Sequence, residues 1–160
     1  MNTTPVHNGT ANELYELLSP ELRTELEHHE QSMAVPAGTP LIKHGVLPDQ
    51  LVIVNTGRVK VTFACTSESV SLDCTETGKT FGMRAAISGE LPEIDVTAVG
   101  ACRITVVPRD AFLGLLKANP EIYFAVAKVL STDLQIADRI LRNSSRRCSS
   151  AARMKAPKPV

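Results

Sequence analysis

Residues 35–63, VPAGTPLIKHGVLPDQLVIVNTGRVKVTF, decide the fold of this 160-residue chain. Glycines separate short β-rich runs in this stretch, and the last run alternates Val59, Val61 and Phe63 with polar residues. Alternation with a period of two indicates half-buried antiparallel strands, and turns are predicted at residues 48–49 and 55–57. Several short strands at this spacing predict a sandwich, a jelly roll or a small barrel.

Residues before the strands are predicted to be helical after a short leader. The polar residues 1–11 are expected to be a mobile leader. Leu14, Leu17 and Leu18 then share one helical face. Ser19 followed by Pro20 is an N-cap with proline at the first helical position, which predicts a second helix over the next ten residues.

Helices are also predicted after the strands. Asp110 is expected to cap a short amphipathic helix that ends near Asn119 and Pro120. A long helix is then predicted from Pro120 to about Arg142, and it makes the fold class α+β, mainly β with helices.

The long helix carries an apolar stripe that is wide for one helix. Tyr123, Leu130, Leu134 and Leu141, with Ala127 and Ala137 between them, repeat at alternating spacings of four and three, and Val126, Val129, Ile136 and Ile140 widen the stripe. One interpretation is that one side packs on the strands while the other pairs with a second copy as a heptad seam, giving a homodimer. The other is a single wide face that packs on one core.

Length and composition predict one soluble domain with tails. The chain has 43% hydrophobic and 21% charged residues, as in an ordinary globular protein. The sequence contains neither an apolar run long enough to span a membrane nor a signal-peptide pattern, so a cytoplasmic location is expected. The four cysteines lack a CxxC spacing and are interpreted as structural thiols, and no metal site is predicted.

The formal net charge of zero arises by cancellation between two parts of the chain. Residues 142–160 hold six basic residues and no acid, which leaves 11 basic against 17 acidic residues in the remainder. Residues 143–160 are predicted to be a disordered basic tail. The tail either contacts nucleic acid or an acidic partner, or is simply solvated.

Residues 78–98, GKTFGMRAAISGELPEIDVTA, are predicted to hold the ligand site. Residues 83–87 can form about one and a half turns of helix, and the unpaired amides at its start would favour an anion. Between Ile87 and Thr97 there is no Lys or Arg, whereas Glu90, Glu93 and Asp95 are present.

The order of these segments resembles the cyclic-nucleotide-binding domain, the β-roll of catabolite-activator-type regulators, kinase regulatory subunits and gated channels. Residues 37–61, with Gly38, Gly45 and Gly57, resemble its opening, residues 78–87 its phosphate-binding cassette, and residues 101–124 its last strand and following helices. The resemblance covers about residues 14–142. It implies a double-stranded β-helix, or jelly-roll β-roll, within a domain of residues 12–142, flanked by N-terminal helices and a long C-terminal helix.

The chain departs from this family at the residues that bind the nucleotide. The family follows its cassette glycine with a Glu that bonds the ribose hydroxyl, whereas Met83 follows Gly82 here. Aligned back from Thr97, the family's Arg, Ser or Thr, and Ala fall at Ile94, Asp95 and Val96. The predicted ligand-binding cassette comprises Phe81, Gly82, Met83, Arg84, Ala85, Ile94, Asp95 and Val96.

These departures lead to two functional hypotheses. The first is a stand-alone regulatory or sensor domain in signal transduction that does not bind cyclic AMP in the usual way and accepts another small molecule. The alternative is a ligand-free dimerisation or interaction module with a basic tail. The chain shows no catalytic constellation, so we expect no enzyme and no cofactor other than a cyclic nucleotide, and the residues after the long helix are too few for a DNA-binding domain.

Overall fold

The fold is described from a computed structural model, which describes residues 13–63, 70–74 and 77–154. Eight strands and four α-helices follow a short 3-10 helix at Tyr15–Leu17. The strands are β1 (Gln31–Val35), β2 (Pro40–Ile42), β3 (Gln50–Thr56), β4 (Val59–Phe63), β5 (Val70–Cys74), β6 (Lys79–Phe81), β7 (Ile94–Ala98) and β8 (Cys102–Pro108). The helices are α1 (Pro20–Glu27), α2 (Met83–Ser88), α3 (Arg109–Ala118) and α4 (Glu121–Met154).

The strands form two four-stranded antiparallel sheets. The first sheet has the order β1-β8-β3-β6 and the second has the order β2-β7-β4-β5. The chain crosses repeatedly between the sheets, as expected for a jelly-roll β-roll. This topology, with helices before the strands and a long helix after them, confirms the predicted fold class.

Apolar side chains from both sheets form one core cluster. The buried members of this cluster are Ile42, Val52, Val54, Val59, Val61, Phe81, Val96, Ala98, Cys102, Ile104 and Val106. Leu51 and Ile53 alternate with the two β3 members and are also buried, so β3 is covered on both faces. Helix α3 packs against β3 and β8, which explains why this run is continuously apolar rather than alternating.

Two of the predicted helix starts have different outcomes. Ser19 is the N-cap of α1, as predicted, and its hydroxyl accepts a hydrogen bond from the Leu22 N–H. Asp110 is not an N-cap. Helix α3 begins at Arg109, Pro108 is the residue before it, and no side chain caps this end. Pro108 is the last residue of β8, where it pairs with Gln50, so the helix starts directly after the strand and Asp110 falls in its first turn.

The last helix is longer than predicted. Helix α4 continues to Met154 rather than ending near Arg142, so it runs through residues that were predicted to belong to the disordered tail. Residues up to Ala125 form one compact unit, and the chain from Val126 forms a second. The predicted leader and residues 155–160 lie outside the described residues, as does the side chain of Leu141. The predicted division of the chain into a leader of residues 1–11, a domain of residues 12–142 and a tail of residues 143–160 stays a prediction.

None of the helices in the described part of the chain is both long and apolar enough to cross a bilayer.

The 3-10 helix is attached to the end of α1 by a polar contact. The Tyr15 hydroxyl donates a hydrogen bond to the Glu30 carboxylate. Burial, reinforced by this hydrogen bond and by the negative charges of Glu30 and Glu27, raises the pKa of Tyr15 well above its usual range.

Gly57, between β3 and β4, is predicted to be the glycine least tolerant of substitution. Its φ is +105°, and a Cβ there would lie 2.6 Å from the Cys102 Sγ and 2.9 Å from the Ala101 oxygen. Overpacking and backbone strain together should make Gly57→Ala cost about 2–5 kcal/mol of unfolding free energy. Gly100→Ala is the matched control, because open space surrounds Gly100. Urea unfolding that gives the two variants equal midpoints would contradict this assignment.

Stability at high pH should depend on Tyr15. Because the folded state holds the Tyr15 proton more tightly, the unfolded state releases it first, above its pKa of about 10. The stability that the protonated Tyr15 side chain contributes to the folded state is therefore complete below about pH 10, and it is lost as the pH rises further. In urea melts at pH 8 and pH 10.5, Tyr15→Phe should reduce the loss of stability, whereas Tyr123→Phe should not. The prediction fails if both variants lose stability as the wild type does.

Candidate functional site

Helix α2 begins at a position that only glycine fills without strain. Gly82 has a φ of +88° and is the N-cap residue of α2. A Cβ at Gly82 would lie 3.3 Å from both the Gln50 carbonyl oxygen and the Ile42 Cδ1, and 3.6 Å from the Pro48 Cγ. The chain therefore turns from β6 into α2 close to the start of β3, at a position where any side chain would be crowded.

The first turn of α2 has chemical features that favour an anion. No side chain caps it and it contains no acidic residue. Its first amides have no partners within the helix, and they carry partial positive charge. The predicted anion cradle is consistent with this arrangement, although the ligand itself stays a prediction.

One face of α2 belongs to the protein interior. Met83 is 2% exposed, and Ala85 and Ala86 are buried with it. The helix packs against β3 and α3. The Met83 side chain therefore contributes to packing at the position where the family resemblance implies a ribose-binding Glu.

Arg84 lies on the opposite, exposed side of α2. Its guanidinium is 3.1 Å from the Glu90 carboxylate, and the two side chains are 65% and 68% exposed. An exposed pair of this kind contributes little to stability. Gly89 ends α2 with a φ of +73°, so residues 89–90 form the end of this helix.

Strand β7 divides its three predicted site residues between its two faces. Val96 is fully buried in the core cluster, and Ile94 packs against the same cluster. Because successive side chains alternate along a strand, Asp95 lies on the other face. The structure thus brings Ile94 and Val96 together with Phe81 in the β-roll interior, and it separates Asp95 from them.

Asp95 holds the loop between β2 and β3 in place. Its carboxylate accepts a hydrogen bond of 2.8 Å from the His44 N–H. The next amide, at Gly45, donates to the Pro92 carbonyl oxygen at 2.9 Å. These two bonds connect the loop to the segment between α2 and β7, a role that was not predicted from the sequence.

Arg109 connects three segments near α2. Its Nε donates a hydrogen bond of 3.2 Å to the Ala86 carbonyl oxygen. Its backbone N–H donates to the Asp49 carbonyl oxygen at 2.8 Å. Sequence reasoning missed this residue. The available signal was a cation at the first position of a helix, where the macrodipole disfavours it, because such a residue needs a partner elsewhere.

Helix α4 carries a second candidate surface. Ile122, Ala125, Val126 and Val129 are buried. Tyr123, Phe124 and Leu134 are large apolar side chains that remain exposed, and the exposed fractions of Phe124 and Leu134 are 77% and 72%. Phe124 was not among the predicted seam residues, although it adjoins Tyr123.

Within the described residues, no group of three or more His, Cys, Asp or Glu side chains is placed to hold a metal ion. Cys102 is a buried free thiol whose Sγ donates to the Arg58 and Gly100 carbonyl oxygens. This packing confirms a structural role for Cys102. Cys65 lies outside the described residues, as do the side chains of Cys74 and Cys148.

Solved structures share this architecture at low sequence identity. The Thermus thermophilus catabolite activator protein is 23% identical with a TM-score of 0.70; the match covers 84% of this chain and 63% of that one, less than two thirds of its length. The regulatory domain of Toxoplasma gondii PKA, solved with cAMP, is 20% identical with a TM-score of 0.62, covering 76% and 45%. The regulatory subunit of a cAMP-independent protein kinase A from Trypanosoma brucei is 18% identical with a TM-score of 0.64, covering 76% and 43%.

Sequence comparisons give the family. A search of curated protein sequences found no significant match. The family model for the cyclic nucleotide-binding domain matches residues 32–119, more than half of the chain. The matched region runs from β1 through α3 and includes α2 and β7. The chain therefore belongs to the cyclic nucleotide-binding domain family.

Proposed function

We propose that this chain is a cytoplasmic regulatory or sensor domain in signal transduction that does not bind cyclic AMP in the way usual for its family. The observation that carries this proposal is the buried Met83 directly after Gly82. The resemblance places there a Glu that bonds the ribose hydroxyl. A thioether accepts hydrogen bonds only weakly, so Met83 cannot replace that carboxylate.

A cation for the cyclic phosphate is missing as well. Ile94, at the position aligned with the family's Arg, packs against apolar side chains of the core cluster. Arg84 is the nearest cation in the sequence of the cassette, and it pairs with Glu90 at the surface. Each charge-assisted hydrogen bond contributes about 1.5–3 kcal/mol, so the loss of both partners should weaken binding by ~4 kcal/mol, about a thousandfold.

The same residues favour a less charged small molecule as the ligand. Met83, Ile94 and Val96 are apolar where the family pattern has charged or small residues. Asp95 is directed to the other face of β7 and bonds to the His44 amide, so its charge does not need to be accommodated beside the ligand. We propose no enzymatic activity and no cofactor for this site.

We further propose that two copies associate through α4. The exposed Tyr123 and Leu134 lie with Ala127 and Leu130 along one side of the helix, by their spacing, and the exposed Phe124 lies outside this line. A helix that leaves such side chains in water gains stability by burying them against a second apolar face. An acidic partner for the basic tail stays a prediction from sequence, and the family match over the cassette makes a purely ligand-free interaction module the less supported alternative.

Isothermal titration with cyclic AMP tests the proposed loss of ordinary binding. We expect no saturable heat at low-micromolar ligand, because the ribose and phosphate partners are absent. Met83→Glu combined with Ile94→Arg supplies both groups, and a gain of heat in that variant would assign the loss to these side chains. Low-micromolar affinity of the wild-type chain would refute the proposal.

Light scattering during size-exclusion chromatography tests the dimer. Leu134→Arg places a charge in the centre of the seam and should raise the dissociation constant at least roughly a hundredfold, giving monomers. Gln135→Arg is the matched control, since it adds the same charge at an exposed neighbour outside the seam. A wild-type monomer at several hundred micromolar protein would exclude the proposed dimer.

A further inference from the structure

We infer that α2 takes its place in the fold without a ligand, and that Arg109 is the residue that positions it. The inference rests on the proposed function only in treating α2 as the helix of the ligand site. Its evidence is a set of contacts that the protein makes to itself at the start of α2, at its end and in the segment that follows.

The start of α2 is fixed by its connection to the sheet, because Phe81, directly before Gly82, pairs with Val52 in the ladder between β3 and β6. A Cβ on Gly82 would lie 3.3 Å from the Gln50 carbonyl oxygen. A side chain at this position would therefore crowd the start of β3. Gln50 is itself fixed, because it pairs with Pro108 in the ladder between β3 and β8.

The end of α2 is fixed by a charge-assisted hydrogen bond. The Ala86 carbonyl oxygen belongs to the last turn, where no helical N–H is available to it, and the Glu90 N–H that would follow donates to the Ser88 hydroxyl instead. The Arg109 Nε supplies the missing donor. A guanidinium at a helix C-terminus is also favoured by the helix dipole.

Arg109 unites the two ends of α2 in one structural unit. Its backbone N–H bonds to the Asp49 carbonyl oxygen, one residue before Gln50. The residue that holds the end of α2 is thus also bonded to the segment against which Gly82 packs. A shift of α2 would have to break the Arg109 bond, move the start of β3, or both.

The segment after α2 is held in the same way. The His44 and Gly45 amides donate to the Asp95 carboxylate and the Pro92 carbonyl oxygen. These bonds oppose a movement in which α2 and the loop that follows it shift together. A ligand would therefore find α2 already in place.

Hydrogen exchange of the ligand-free full chain, followed by mass spectrometry, tests this inference. In the wild type, the hydrogen-bonded amides of α2, including those of Ala86 and Gly89, should be protected. Arg109→Gln removes the donor to Ala86 and should speed exchange in peptides covering α2 by roughly ten- to hundredfold, while peptides from β7 and β8 keep their protection. Arg84→Gln is the matched control: it removes a cation from α2 itself, and it should leave exchange unchanged.

Two results would overturn the inference. One is a wild-type α2 that exchanges at the unprotected rate and gains protection only when cyclic AMP is added. The other is an Arg109→Gln variant whose α2 exchanges as slowly as that of the wild type. If Arg109→Gln also lowers protection in β7 and β8, Arg109→Lys is used, which keeps the charge and one donor. Intermediate exchange confined to α2 then supports the inference, and wild-type exchange contradicts it. Cyclic AMP binding by the wild type would refute the proposed function and leave this result standing.

Discussion

The close approach of Gly82 to the Gln50 carbonyl oxygen is the constraint on which the site depends. A Cβ on Gly82 would lie 3.3 Å from this oxygen, and Phe81, directly before Gly82, pairs with Val52 in the β3–β6 ladder. The approach sets where β6 ends and in which direction α2 starts. Since Gln50 is held by the β3–β8 ladder, the position of α2 is determined by the β-roll itself and adjusted at its far end by Arg109.

Much of the fold could be predicted from local signals. Alternating apolar residues gave β4, glycines marked the turns, and Ser19 before Pro20 marked the start of α1, because each signal is a property of neighbouring residues. The short helix over residues 83–87 was predicted for the same reason, and α2 ends one residue later, at Ser88. The burial of β3 on both faces was indicated in the sequence by a continuous apolar run, although the cause of this burial is the packing of α3.

The contacts that position the site could not be predicted in this way. The bond from His44 to Asp95 joins residues that are 51 positions apart, and the bond from Arg109 to Ala86 ends on a backbone oxygen that any residue would provide. Asp110 was mistaken for a cap because β8 continues in the ladder up to Pro108 and the helix starts directly after it, one residue before Asp110. Asp95 was placed near a ligand by alignment, whereas the alternation of side chains along β7 directs it to the opposite face.

The family match therefore bears on the fold, whereas the site residues bear on ligand recognition. Membership of the cyclic nucleotide-binding domain family accounts for the two sheets and α2, while Met83 and Ile94, at the positions where the resemblance implies a Glu and an Arg, pack in the interior. Under the proposed function, the domain keeps the scaffold of its family and differs in what the scaffold binds. The solved relatives include one with cAMP bound and one named as cAMP-independent, so the scaffold occurs in both settings.

The most direct test of this account is an NMR titration of the ¹⁵N-labelled chain with cyclic AMP, read at the amides of residues 82–86. The account predicts dispersed signals for these amides in the ligand-free protein and no saturable shifts at micromolar cyclic AMP. Signals that are broadened without ligand, and that sharpen and shift saturably at micromolar cyclic AMP, would contradict it.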